Sequence, residues 1–270
     1  MAGKTLINGT AYTINGGRTL IGGTGYDIKS GKTLIGGTGQ TISFGTPVGS
    51  LAVGTSLFMN YNGYHDLKQE FIVIHQGLPS SIYDSSCNGT WVMFKEMISQ
   101  NDDWGDEDVG NYANSLLTSS LNSTYFAKFD SVVQNIVKSV KIPYVSNYSS
   151  GTVTSGSNGL SCKMFLLSAV EIGFTSATSS IAAVPADGTK LDYFESGESS
   201  SANSKRVCYW GPETHTWWTR SPRVANWTGI ICAYGTGEST FNAPDTEYGV
   251  RPAFILPSNT LIDGTYISLT

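Results

Sequence analysis

Three histidines (His65, His75 and His215) and four cysteines (Cys87, Cys162, Cys208 and Cys232) are the side chains best able to hold a metal or attack an electrophile. Their spacing argues against both roles. No His stands at a metal-ligand interval from another His or a Cys, and no Cys-x-x-Cys pair occurs. Cys208 and His215 can be drawn as a nucleophile and its base, but both sit beside segments that read as core strands. The acidic run Asp102-Asp103-Trp104-Gly105-Asp106-Glu107-Asp108 holds enough carboxylates for glycoside hydrolysis. It reads instead as a solvated loop between two helices. Gly31-Lys32-Thr33 ends like a phosphate-binding loop, but the required glycine position, 26, is Tyr. Glu238, Asp245 and Glu247 invite a calcium reading, and their spacing matches no EF-hand. The expectation is a non-enzyme with no catalytic residue, no cofactor and no metal.

The composition bounds the partners. The chain has 270 residues, of which 40% are apolar, enough for a sizeable core. Charged residues are only 14%, below the usual quarter or so, and glycine is abundant at 31. The net charge of −5 disfavours nucleic acid, whose phosphates need a basic face. A polar, weakly charged surface suits sugars or proteins better. The charge is uneven: Lys4, Arg18, Lys29 and Lys32 against Asp27 make residues 1–45 +3, leaving −8 for the rest. The first residues show no apolar signal-peptide core, and no run of 18 apolar residues occurs, so no membrane insertion is expected. Cysteines in such a chain are expected as thiols.

The elements that must position any site divide into two parts. Residues 1–45 contain three gapless units of 14 residues, Gly3–Gly16, Gly17–Ser30 and Gly31–Phe44. Each reads Gly-basic-Thr-Leu-Ile, a Gly-rich turn, then a second short β-prone stretch. Every unit is expected to be a strand, a turn and a strand. A single unit offers too little apolar surface to stand alone, so the array is expected to depend on neighbours. It would anchor or oligomerise the chain, with a trimer favoured.

Residues 46–270 read as one α+β globular domain, with Phe44–Thr55 as the junction. Leu57–Met59 and Glu70–His75 look like strands, separated by a turn over Asn60–Tyr64. Helices are expected over Trp91–Ser99, Asn111–Leu121 and Tyr125–Val140, their apolar residues forming core stripes and Pro143 ending the last. Lys163–Leu167 reads as a strand or buried helix. Residues 173–204 read as a long loop excursion. Strands return over Arg206–Trp210, Thr216–Thr219, Gly229–Tyr234 and Val250–Leu256.

Trp217-Trp218-Thr219-Arg220-Ser221-Pro222, followed by Gly249-Val250-Arg251-Pro252-Ala253-Phe254, resembles the signature of an uncharacterised domain family of gut-type bacteria and their phages. FIVIHQGLPSSIYDSS, NYANSLLTSSLN, VKIPY and FLLSAVEIG fit the same pattern, so the likeness spans about 57–257. That family is similar to the C-type-lectin-like fold, the scaffold also of formylglycine-generating enzymes and hypervariable phage adhesins. The resemblance implies a phage tail or fibre protein that acts in the virion. Formylglycine chemistry needs a paired-cysteine copper site. Cys208 and Cys232 can be brought together on paper, but that active-site motif is not recognisable here.

Trp217 and Trp218, adjacent on a strand, should face opposite layers of the core. Arg220 and Arg251 lie in apolar surroundings and should tie down loop carbonyls or a carboxylate. Between the two signatures, Arg223–Glu247 mixes aromatics with short polar side chains, a composition suited to a binding face. The candidate ligand-binding residues are Arg223, Asn226, Trp227, Tyr234, Thr236, Glu238, Phe241, Asn242, Asp245 and Glu247. The alternative is an ordinary surface loop with Trp227 and Phe241 partly in the core. The partners expected are a host cell-surface glycan or protein, and other virion proteins through residues 1–45. By resemblance, the segment 223–247 can also be a retroelement-diversified region. Two other readings remain: a purely structural baseplate or capsid decoration protein, and a cell-wall glycoside-acting enzyme.

Overall fold

The computed structural model describes residues 45–63, 68–106, 111–175, 184–224 and 229–262, and before them the backbone of six strands between Gly3 and Ser43. The fold is α+β and strand-rich.

The repeat array forms three hairpins. Strand β1 (Gly3–Ile7) pairs with β2 (Thr10–Ile14), β3 (Arg18–Ile21) with β4 (Thr24–Asp27), and β5 (Ser30–Ile35) with β6 (Thr38–Ser43), all antiparallel. The register repeats with the sequence: Thr5 faces Tyr12, Thr19 faces Tyr26 and Thr33 faces Gln40. The strand–turn–strand expectation therefore holds for each unit. Among the described residues the hairpins share no ladder with one another, and a lone two-stranded hairpin is marginal in water.

The domain then runs β7 (Thr46–Pro47), β8 (Ser56–Asn60), β9 (Lys68–Gly77), β10 (Gly89–Phe94) and β11 (Ser99–Asp103). Helices α1 (Leu116–Ser120) and α2 (Ser131–Ile136) follow. Next come β12 (Val140–Ile142), β13 (Tyr144–Asn147), β14 (Thr152–Thr154), β15 (Leu160–Cys162) and β16 (Met164–Leu166). After helix α3 (Ser200–Arg206) come β17 (Tyr209–Trp210), β18 (Glu213–Thr214), β19 (Trp217–Pro222), β20 (Ile230–Ala233) and β21 (Ser239–Asn242). The series closes with β22 (Glu247–Val250), β23 (Pro252–Leu256) and β24 (Leu261–Ile262).

Two five-stranded sheets carry the domain. The first has the order β16-β23-β10-β9-β8 and is antiparallel throughout. The second has the order β11-β22-β19-β20-β21, with β22 and β19 parallel where Trp217 meets Gly249. Two direct crossings join the sheets, from β10 into β11 and from β22 back into β23 at Arg251, besides the longer connections from β11 to β16 and from β16 to β19. Buried Arg251 ties both crossings: its Nε donates to the Phe94 carbonyl at 3.0 Å and its Nη2 to that of Lys95 at 2.9 Å. Its guanidinium lies over the Trp217 ring, 5.4 Å from the centroid.

Arg220 plays the matching role one sheet over. It uses all five of its donors, on the carbonyls of Pro143, Leu166 and Asp187 and on both oxygens of Glu171. Arg220 and Glu171 are both fully buried, so the charges compensate where water cannot. Both arginines thus hold carbonyls, and Arg220 a carboxylate as well, as expected from the sequence. Trp217 and Trp218 are fully buried, their indole N–H groups donating to the carbonyls of Arg206 and Asp102 respectively. The four cysteines are buried free thiols.

Several expectations need correction. Trp91–Ser99 is not a helix but the end of β10 and the crossing into β11. Every residue of β10 is buried, and a strand covered on both faces reads as an apolar run that periodicity cannot separate from a helix. Tyr125–Val140 is broken rather than continuous. Phe129 turns extended to fill an aromatic cluster with Tyr61, Phe71 and Phe254. Asp130 then caps α2, accepting from the Val133 N–H at 2.8 Å, and Val140 begins β12. Asn111–Leu121 opens as a 3-10 turn capped by Asn111, and Ser115 caps α1. Arg206 ends a helix rather than starting a strand.

The acidic run is not an inter-helix loop: Asp102 and Asp103 belong to β11, Trp104 is buried, and Glu107 and Asp108 lie outside the described residues. The junction is part of the domain, because β7 pairs with β24 and Val48 is fully buried. In the excursion 173–204, residues 176–183 lie outside the described residues, and the rest is an irregular stretch ending in α3.

Candidate functional site

The site begins at a bulge. β11 pairs with β22 through Ser99–Val250 and Asp102–Tyr248, so two residues of β11 stand opposite one of β22. The extra residue bends the strand and re-aims its side chains. The two residues so displaced, Gln100 and Asn101, line an open cleft of about 480 Å³. Its other walls come from Thr214, His215 and Thr216 ahead of β19, from Tyr234, Gly235 and Thr236 after β20, and from Glu247 and Tyr248 on β22.

The turn carrying Tyr234 and Thr236 is held from behind. The Tyr234 N–H bonds the Glu238 carbonyl at 2.8 Å, and the Gly237 N–H bonds the Tyr234 carbonyl at 2.7 Å. Gly237 has φ +89°, and a Cβ there would lie 2.1 Å from the Asn203 carbonyl oxygen, so only glycine fits against α3. Buried Arg206, at the end of α3, donates to the Gly237 carbonyl at 2.7 Å. Its remaining donors reach Ile172, Glu195, Gly197 and Asn203. The guanidinium also lies 4.5 Å over the Phe174 ring. Burial pulls the Arg206 pKa down to about 10, so the group stays charged at neutral pH. Just beyond, the Ser239 N–H bonds the Glu198 carboxylate at 2.6 Å.

Tyr248 is half-buried, packed 5.0 Å from the Trp218 ring. Its hydroxyl accepts from Asn242 Nδ2 at 2.6 Å, which leaves the phenol proton for another partner. Burial raises the Tyr248 pKa, so that proton is retained. Tyr234 is half-exposed at 51%. The cleft therefore offers aromatic rings, amides and hydroxyls, with Glu247 as its carboxylate.

Of the residues singled out in the sequence, Tyr234, Thr236 and Glu247 come together in this cleft, and Asn242 positions Tyr248. Arg223 and Phe241 stack on each other at 4.0 Å and do not line it. Glu238 and Asp245 are exposed outside it, Glu238 accepting from the Thr236 hydroxyl at 3.3 Å. Asn226 and Trp227 lie outside the described residues. Sequence reasoning missed Gln100, Asn101, Thr214, Thr216 and Tyr248, and weighed His215 only as a metal ligand or as a base for Cys208. The Thr-His-Thr run directly before Trp217 was the one local signal available for part of that set.

Chemistry at the thiols is suppressed. Burial pushes Cys87 up to about 12 and raises Cys162, Cys208 and Cys232. All four are protonated at neutral pH, and a thiol is a poor nucleophile or ligand. Among the described residues no group of three His, Cys, Asp or Glu stands close enough to hold a metal. Among the same residues no helix is long and apolar enough to cross a membrane.

The fold and cleft define a strand-rich α+β domain with a preorganised polar-aromatic surface. A family model described as a domain of unknown function, DUF6273, matches residues 88–258, and the chain belongs to that family. No curated protein and no solved structure matches the chain.

Proposed function

We propose that this chain is a non-enzymatic adhesion protein of a phage tail or fibre, with a C-type-lectin-like domain that binds a host surface ligand in the cleft around Tyr234, Thr236 and Glu247. The observation that carries the proposal is the way the cleft is built. Its lining is aromatic and polar with Glu247 as its carboxylate, and buried side chains, chiefly Arg206, hold the turn behind it. Preorganised aromatic and amide groups give contact area at low entropic cost, as binding faces require. The lectin-like reading draws support from β7 and β24, which bring the two ends of the domain into one small sheet. The domain is thereby tethered at one place, with its loops left to present a surface.

The hairpin array would then serve as attachment, joining other virion proteins or further copies of the chain, with a trimer favoured. Its separate two-stranded ladders support this reading, because partners would supply the surface each hairpin lacks. Diversification of residues 223–247 is compatible with their layout. Ile230–Ala233 is buried, while Tyr234, Thr236, Glu238, Asp245 and Glu247 are exposed and open to exchange.

The test is labelled full-length protein on a panel of gut bacterial isolates, read by flow cytometry. Binding to particular isolates, reduced at least about tenfold by Tyr234→Ala together with Glu247→Gln, is expected. Absence of binding to every isolate would favour a structural virion role. Release of sugar from cell walls would favour a glycoside-acting enzyme.

A further inference from the structure

We infer that the cleft is one half of a longer groove that takes an extended glycan chain, and that a second sugar-binding depression lies on the other side of Gln100 and Asn101. This rests on the adhesion reading above and names its ligand class. The second depression, of about 410 Å³, is lined by Ser99, Gln100, Asn101, Tyr125, Lys128 and Trp210, among others. Gln100 and Asn101 line both spaces. The β17–β18 hairpin runs beside both as well: Trp210 on its first strand lines the second depression, and Thr214 on its second strand lines the first. Two adjoining sites thus share a bulged strand and a hairpin. Each falls within the roughly 300–1,000 Å³ of small-molecule sites.

The lining selects the ligand. A pyranose presents apolar C–H faces and hydroxyls that both donate and accept. Rings of Trp210, Tyr234 and Tyr248 suit the faces, and the amides of Gln100 and Asn101 offer a donor and an acceptor side by side. Lys128 is in the second depression and Glu247 in the first, so the groove is not tuned to a chain of one charge sign. Lys128 is also held, its ammonium 4.9 Å over the Tyr125 ring, whose hydroxyl donates to Asp102 at 2.8 Å.

An extended peptide is the competing ligand, because β11 is an edge strand. Strand addition needs a regular edge, and this one carries a bulge and two carboxylates, Asp102 and Asp103, features that block pairing.

The experiment uses full-length protein and an isolate it binds. Cells are treated with periodate, which cleaves sugar diols, or with protease. Oligosaccharides of about two to eight units, cut from that isolate's surface polysaccharide and sized, then serve as competitors. Periodate should abolish binding and protease should not. Affinity should rise about tenfold or more from the shortest to the longest fragments. Trp210→Ala and, independently, Lys128→Gln should remove most of that rise and leave the shortest fragment's affinity unchanged, with thermal melts reporting that each variant is folded.

Binding that survives periodate and is lost to protease would overturn the glycan inference while leaving the adhesion reading intact. So would fragments of all lengths binding equally, or variants that weaken every length alike. If no isolate is bound, the adhesion reading fails first and this inference falls with it.

Discussion

Arg206 Nε donates to the carbonyl of Gly237 at 2.7 Å, so the last residue of helix α3 holds the turn that carries Tyr234 and Thr236 into the cleft. A side chain separated in sequence from the cleft therefore helps set its shape, and the buried Arg206 guanidinium reinforces the bonds the turn makes within itself.

Gly237→Ala should cost roughly 2 kcal/mol or more, from the strained φ and from the contact with the Asn203 carbonyl. Arg206→Met should cost about 3–5 kcal/mol, since it strands several buried carbonyls. Denaturant titration measures both. A neutral result for Gly237→Ala would show that the turn does not dock on α3.

Glu171→Gln and Arg220→Met should each destabilise by about 3–5 kcal/mol, because each leaves an opposite buried charge without its partner. The double variant should cost much less than the sum of the two. A double-mutant cycle in urea reads this coupling directly, and additivity would contradict it.

Asp187 gives the domain a pH dependence. Burial, opposed by Arg220 and by Ser221, raises its pKa to about 7. The Ser221 hydroxyl lies 2.8 and 2.9 Å from the two carboxyl oxygens while accepting from the Ala169 N–H, and one hydroxyl proton serves only one of them. A protonated Asp187 supplies the second bond. The folded state therefore holds this proton more tightly than the unfolded chain, whose carboxyl has a pKa near 3.9. The stability contribution is fully present below pH ~4 and is lost as pH rises toward about 7. Asp187→Asn should keep it across that window, so the Tm difference between variant and parent should grow by several degrees from pH 4 to pH 8. Parallel Tm curves would refute the assignment.

The isolated fragment 1–45 should be unfolded and monomeric, because among the described residues its three hairpins share no ladder with one another. Circular dichroism with analytical ultracentrifugation checks this. A cooperative melt from a monomeric fragment would remove the argument that the array depends on partners.

The thiols of Cys87, Cys162, Cys208 and Cys232 should react with a disulfide reagent only as fast as the protein unfolds, since all four are buried and protonated. Fast labelling of any one in native buffer would locate an unexpected opening.

The sequence alone determined what depends on neighbours a few residues apart. The 14-residue repeat made each hairpin legible, since turn glycines and β-prone triplets act locally. The Trp-Trp and Arg signatures marked a buried core with paired guanidinium groups, because apolar surroundings allow a charge few other fates. Tyr234, Thr236 and Glu247 were visible as binding-face candidates from composition. Tertiary structure decided the rest. Trp91–Phe94 became a strand because it pairs with β9 and β23 and is buried on both faces, a fact no periodicity records. Gln100 and Asn101 joined the cleft through a one-residue bulge against a strand some 150 positions later in the chain. Arg206 reached Gly237 across 31 residues of sequence. Register and docking are set by what the whole core excludes from water, so the cleft exists only where distant segments meet.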